Sequence, residues 1–407
     1  MYNLGIKRKR AKKIEVSKSS INPDWANIGI DILTVIERKI NSIYDYLSFS
    51  VVCKNWNVVA IQSRRRRMIG SNKDKPLLLL PGDKFDKGIV YHNLDFDQGF
   101  TRLNLPRDFP RKYYGSSHGW LIEFDCTSFC FFLINPFTCQ VVRVPTFILP
   151  ASTVNYNDMR WPYTPYNILK AVLSADPLAF PNYFMMVIYG RKKKLALFQG
   201  SLQKWTHLEN EQLYGGMHDI IHYKNRFHSI DEDGRVFAFN PSHPQSCDYI
   251  FIPRERYDSK IKRKYLVESP EGDLLKILRV PNDPVTRHSQ RTLRFDIWKL
   301  LEVEGVTEWV AVENLGDVAL FLGDNHSLSV VASNYSNCYK NSVYFTFEAL
   351  EGHRLARPDE PFKSNWHLDT GMFKLGNARA RVFKKLHPLF RLGKTPPIWI
   401  VPTLITS

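Results

Sequence analysis

Four groups of side chains in this sequence have types and spacings that invite a chemical reading. Ser116-Ser117-His118-Gly119-Trp120 places a histidine directly after two hydroxyls. Nucleophilic catalysis needs serine, histidine and an acid brought together across the fold. Adjacency in the chain does not supply that, and the stretch reads as a turn entering a buried strand. His218 and His222 are four apart, but Ile220-Ile221 between them is strand-like and no motif supplies further metal ligands. Cys126 and Cys130 lie four apart in an aromatic stretch, and at a period of two they fall on one face of a strand. With no second Cys/His pair at zinc spacing, they read as core residues. Asp231-Glu232-Asp233-Gly234 lacks the long loop and terminal Glu of a calcium site and reads as a hairpin turn. No Gly-x-Gly-x-x-Gly or Gly-Lys-Ser/Thr run offers a phosphate cradle. The expectation is a non-catalytic chain with no catalytic residue, no metal and no cofactor.

Composition agrees with a binding role. The 407 residues carry 56 Lys+Arg against 40 Asp+Glu, a formal charge of +16, which attracts acidic partners: nucleic acid, an acidic protein or an anionic surface. Part of the excess is local, in Lys7, Arg8, Lys9, Arg10, Lys12 and Lys13, in Arg64–Arg67, and from Arg379 to Lys394. The first run reads either as a nuclear localisation signal or as a solvated tail, and residues 1–20 are expected to be disordered. No apolar stretch is long enough to cross a bilayer, so no membrane partner is expected. The basic start is not followed by an apolar signal segment, and six cysteines in this length make no disulfide framework. These readings place the chain in the nucleus, the cytoplasm or both.

Two kinds of element must position whatever binds. Ile32, Ile36, Ile40, Ile43 and Leu47 form an apolar stripe at helical spacing. Ser42 followed by Asp45 resembles a capping box, so a second helix is expected to start there. Phe49, Val52, Cys53 and Trp56 repeat at i, i+3, i+4 and i+7. Helices this short bury little surface alone and need a partner. After Pro76 the texture becomes β: short apolar runs bracket strong turns, as in Arg226–Ile230 and Val236–Phe239, or Val318–Leu322 and Leu328–Ala332. Comparable units begin near Ser116, Tyr166, Asp219, Tyr265 and Leu315, roughly fifty residues apart, the period of a propeller blade. Five to seven blades fit, although a β-sandwich pair would give a similar texture. The terminal run Ile398–Val401 is placed to complete a blade begun near Leu77 and close the ring.

The helical segment resembles an F-box through Trp25, Ile28, Asp31, Ile32, Leu33, Ile36, Asp45, Leu47, Phe49 and the Val52-Cys53-Lys54-Asn55-Trp56 run, with Gly29 where that family has Pro. The remainder resembles the KIB-type β-propeller that follows F-boxes in a large plant family, through Pro76–Pro81, Gly115–Leu121, Leu133–Phe137, Ala319–Gly323, Ser342–Thr346 and Ile398–Pro402. The resemblance implies a mainly β chain: a basic tail at 1–20, an all-α F-box at 21–62, a basic linker at 63–75 and a propeller at 76–407. It implies a substrate receptor of a cullin–RING (SCF-type) ubiquitin ligase, docked on a Skp-type adaptor and through it on a cullin, with a target protein on the propeller. Trp25, Ile28, Ile32, Leu33, Ile36, Leu47, Val52 and Trp56 are the expected adaptor contacts; among them Val52, like Cys53, leans toward the internal core. Two other readings stand beside this one. A nucleic-acid or chromatin-associated protein would use the basic runs, with steep salt dependence. A propeller enzyme would need polar side chains converging at the axis.

Overall fold

The computed structural model describes residues 24–40, 43–50, 52–69, 76–80, 88–91, 100–103, 113–150, 166–209, 213, 215–250, 263–281, 292–303, 306–335, 337–346, 369–377, 381–382 and 397–402. The chain divides into two compact units, 1–66 and 67–407. The basic run Lys7–Lys13, the Ser42 cap and most of the segment from Arg379 to Lys394 lie outside the described residues.

The first unit is helical: a single 3-10 turn at Trp25–Asn27, then α1 (Ile30–Lys39), α2 (Ile43–Ser50) and α3 (Lys54–Ile69). The apolar stripe is thus split between two helices, as its spacing beside Ser42 and Asp45 suggested. α3 carries the arginine run Arg64–Arg67 onward to Ile69, into the stretch expected as a linker at 63–75. Arg is a good helix former, so a run of it extends a helix already nucleated by apolar packing. The unit's core is small. Leu33, Tyr46, Phe49, Val59 and Ala60 are buried, and the Tyr46 hydroxyl donates to the Ala60 carbonyl, tying α2 to α3.

The second unit is a ring of sheets. Among the described residues there are six, five of four strands and one of five. Blade 1 is ordered β25-β1-β2-β3, from Ile398–Ile400, Leu77–Leu80, Gly88–Tyr91 and Phe100–Leu103. Blade 2 runs β4 (Tyr113–Ser117), β5 (Trp120–Asp125), β6 (Cys130–Ile134) and β7 (Val141–Arg143). Blade 3 comprises β8 (Lys170–Leu173), β9 (Phe184–Tyr189), β10 (Lys194–Gln199) and β11 (Lys204–Leu208). Blade 4 comprises β12 (Met217–Tyr223), β13 (Arg226–Asp231), β14 (Val236–Phe239) and β15 (Cys247–Ile250). Blade 5 comprises β16 (Arg263–Glu268), β17 (Leu274–Pro281), β18 (Thr292–Val303) and β19 (Val306–Ala311). Blade 6 is ordered β21-β20-β22-β23-β24, from Leu328–Val331, Val318–Leu322, Ser342–Phe345, Gly371–Lys374 and Arg381–Val382. Its β20–β22 pair is parallel, a departure from the antiparallel pattern of the other described strand pairs.

The strands β25, β4, β8, β12, β16 and β21 touch in that order around the axis. Each blade is covered on both faces by its neighbours, which explains why strands such as Cys130–Ile134 are buried throughout instead of alternating. The aromatic core between blades 2 and 3 holds Trp120, Phe131, Phe147, Tyr189 and Phe198. Tyr265, Phe295, Leu320 and Phe345 join blades 5 and 6. The C-terminal strand closes the ring: Leu77, Leu78 and Leu79 pair with Ile400, Trp399 and Ile398. Trp399 then packs edge-on against Phe321 of blade 6, and its carbonyl accepts from the Ser116 hydroxyl of blade 2. The first and last described strands of this unit thus share one blade.

Candidate functional site

The stretch Ser116–Trp120, which has the residue types of a catalytic site, is a fastener. Gly115 lets β4 approach β8 so closely that a Cβ there would lie 2.0 Å from the Ala171 carbonyl oxygen. The Ser117 hydroxyl donates to Leu173 O at 3.2 Å and accepts from Leu173 N at 3.3 Å. His118 and Gly119 both have positive φ, 52° and 81°, as a two-residue hairpin turn requires. Trp120 Nε1 donates at 2.9 Å to Asp176, whose other oxygen caps the backbone at Leu178 and Ala179. Asn135 and Asn240, each ahead of a proline, accept from backbone N–H groups two residues on in the same way. Asp231 does so in its hairpin turn and also pairs with Arg235. Cys126 and Cys130 do not share a strand face, because β5 ends at Asp125 and a turn separates them. The four-residue spacing spans a hairpin turn, which the period-two reading did not allow for. Cys130 is buried and Cys126 packs, partly buried, against the aromatic core between blades 2 and 3.

Polar groups do converge at the axis. Lys170 of β8 and Asp219 of β12 form an ion pair with both side chains 1% exposed. Asp219 also accepts from the N–H groups of Ile220 and Leu266 at 2.9 Å and from the Ser327 hydroxyl at 3.4 Å, so one carboxylate joins blades 3, 4, 5 and 6. Burial pushes its pKa up, and Lys170 opposes that shift. Burial also lowers the pKa values of His118, His222 and His326, so the imidazoles are held neutral near pH 7. His222 lies beside Phe227, at 5.0 Å between ring centroids. His218 sits at the β-bulge between Met217 and Asp219.

The helical unit presents a different kind of surface. α1 turns Leu33 and Glu37 fully inward, while Ile30, Ile32 and Val35 are each more than half exposed. The start of α3 clamps the 3-10 turn: Trp56 Nε1 donates to Trp25 O at 2.9 Å and Asn55 Nδ2 to Ala26 O at 3.2 Å. Trp56 is half-buried and packs on Phe49 at 4.7 Å between centroids. The clamp sets Trp25, 56% exposed, beside the segment carrying Val52, 51% exposed. Leu33, expected at the adaptor surface, is buried inside the unit. Val52, expected to lean inward, is instead half exposed, in the connection between α2 and α3. Ile28 and Ile36 are half-buried, and nothing is described for the Leu47 side chain. Gly29 caps α1 with φ −59° and ψ 143°, a conformation that proline also adopts.

The profile of the KIB1-4 beta-propeller family matches residues 93–374, more than half of the chain. The chain belongs to that family. Relatives in Arabidopsis thaliana extend the likeness. F-box protein At2g26160 is 27% identical over 79% of this chain and 95% of its own length. F-box protein SKIP23 is 22% identical over 93% of this chain and 95% of its own length. Putative F-box protein At3g25750 is 25% identical over 80% of this chain and 88% of its own. The Gly115–Leu121 segment, inside the matched residues, and the Ile398–Pro402 segment, beyond them, hold neighbouring blades of this propeller together.

Proposed function

We propose that this protein is a non-catalytic substrate-recognition subunit of an SCF-type ubiquitin ligase. Its helical unit docks on a Skp-type adaptor, and through it a cullin, and its propeller holds a target protein. The observation that carries the reading is the apolar surface of the small helical unit. Trp25, Ile30, Ile32, Val35 and Val52 are 51–58% exposed in a unit whose buried core is small. The F-box names of the relatives support the same assignment. Of the expected contacts, Trp25, Ile32 and Val52 supply direct contact; Leu33 and Trp56 shape the surface from behind, and Ile28, Ile36 and Leu47 complete the set.

A pull-down of the full chain with a purified Skp-type adaptor tests this. Wild type is expected to bind, and Ile32→Asp/Val35→Asp, on exposed positions that leave the fold intact, to lose binding. Burying two unpaired carboxylates in an apolar contact costs several kcal/mol, about 2 or more each, enough to abolish micromolar affinity. Equal binding by wild type and the folded variant would show that this face is not the docking surface.

A further inference from the structure

Acidic residues collect in one stretch of this basic chain. From Leu300 to Tyr339 there is no Lys or Arg, while Glu302, Glu304, Glu308, Glu313, Asp317 and Asp324 all fall there, in a chain whose formal charge is +16. The stretch holds β19, the outermost strand of blade 5 and, at six residues, the longest outermost strand among the described residues. Its pairing leaves one side open. Val312 N donates to Ile297 O at 2.8 Å and Ala311 stands opposite Trp298, so by the antiparallel alternation Val310 and Glu308 bond to β18. Thr307, Trp309 and Ala311 therefore turn their N–H and C=O groups to the other side, where no described strand pairs with them. The strand is anchored from behind: Trp309 is 7% exposed and packs in one core with Ile221, Tyr223 and Leu266. Glu308, Val310, Ala311 and Glu313 are exposed. Two cations border this edge, and each is matched by acid. Lys299 pairs with Asp273 at 2.5 Å, and Lys224 lies in the field of Glu302 and Asp273. Glu308 and Glu313 have no ion pair among the described residues.

An open strand edge is a template for another strand, and folded proteins keep such edges short, covered or charged. We propose that the β19 edge binds a basic, extended segment of the target protein, which adds a fifth strand to the four of blade 5. The proposal rests on the target-binding reading above and gives the target's docking segment its charge and conformation. The outward groups of Thr307, Trp309 and Ala311 supply the main-chain ladder, and Glu308 and Glu313 select lysine or arginine beside it. Charge decides between occupants. A second copy of this edge would set acid against acid across the new strand pair, which is unfavourable. The same carboxylates repel nucleic acid. A basic segment is repelled by the chain's net charge, so the acidic edge fixes where it docks.

The test uses the full chain and a fluorescein-labelled twelve-residue peptide alternating Lys with Val and Thr. One comparison peptide has Glu for Lys. The other is N-methylated at its four central residues, which keeps the charge and removes ladder donors from both of its sides. Fluorescence anisotropy at low salt is expected to show binding of the basic peptide, no binding of either comparison, and weaker binding as salt rises. Ala311→Pro removes an outward N–H at an exposed edge position, where proline is tolerated, and should weaken binding by about tenfold or more. Glu308→Gln/Glu313→Gln, also at exposed positions, should weaken it by about tenfold, and decides the matter even where the proline variant fails to fold. Hydrogen exchange in the segment 306–311 should slow when the peptide binds. Absence of basic-peptide binding, equal binding of the N-methylated peptide, equal binding by either folded variant, or exchange at 306–311 indifferent to the peptide overturns the proposal. So does a wild-type dimer in sedimentation that Ala311→Pro dissociates. So does peptide binding that appears only when Lys7, Arg8, Lys9, Arg10, Lys12 and Lys13 are changed to Gln in the full chain, which would assign the edge to that run. The pull-down reads the helical unit and this assay reads the propeller, so the failure of one leaves the other readable.

Discussion

Replacing Lys170 by Met removes one partner of the axial ion pair and leaves Asp219 as a buried carboxylate. Its hydrogen bonds from Ile220 N, Leu266 N and Ser327 remain, but the opposing charge is gone. Breaking a buried pair from one side costs about 3–5 kcal/mol, because the remaining charge is uncompensated. For a unit of this size the urea midpoint should fall by about 1 M or more. The sign of the pH dependence is fixed by the same group. Burial already raises Asp219, and without Lys170 its folded-state pKa rises further above the unfolded value. Between those two values the folded variant binds more protons than the unfolded chain, so stability falls as pH rises. The penalty against wild type is therefore expected to be smaller at pH 5 than at pH 7.5. Adding Asp219→Asn to Lys170→Met should recover most of the loss, since the amide oxygen can still accept from Leu266 N without carrying charge. Urea unfolding followed by tryptophan fluorescence, for the two single variants and the double variant at both pH values, measures all of this. A midpoint in Lys170→Met within about 0.3 M of wild type, or no recovery in the double variant, would refute the claim that this pair locks the four blades.

Three further outcomes are expected. Gly115→Ala places a Cβ 2.0 Å from Ala171 O, which backbone movement alone can relieve, so thermal unfolding should show a loss of about 1–3 kcal/mol or more. Gly29→Pro fits φ −59° with nothing within 4 Å of the added Cβ, and should stabilise the helical unit by about 0.4–1 kcal/mol, read from urea unfolding followed by far-UV circular dichroism. His228 is buried and its pKa is lowered to about 4, mainly by burial, so the unfolded chain binds the extra proton between about pH 6.5 and that value. Stability should therefore fall as pH drops through that window, by about 1.4 kcal/mol per unit for this group, and His228→Gln should flatten the slope of the melting temperature against pH.

Much of this architecture is written locally. Apolar runs bracketing Asp231–Gly234 predict a hairpin because turn chemistry acts over four residues, and that hairpin forms. The spacing of blade starts and the Ile398–Val401 strand predict a closed ring, because a terminal apolar strand has to find an edge. The split of the apolar stripe into α1 and α2 follows from its composition. Other features needed the tertiary structure. Leu33 and Val52 have similar apolar character, and only packing decides that the first is buried and the second exposed. Cys126 and Cys130 satisfy strand spacing and hairpin spacing equally well. Lys170 and Asp219 lie 49 positions apart on different blades, so the axial ion pair leaves no local pattern. The sequence determined the elements and their order through short-range physics. Which side chains meet at the axis was decided by the ring, which brings the strands nearest the axis together irrespective of their distance along the chain.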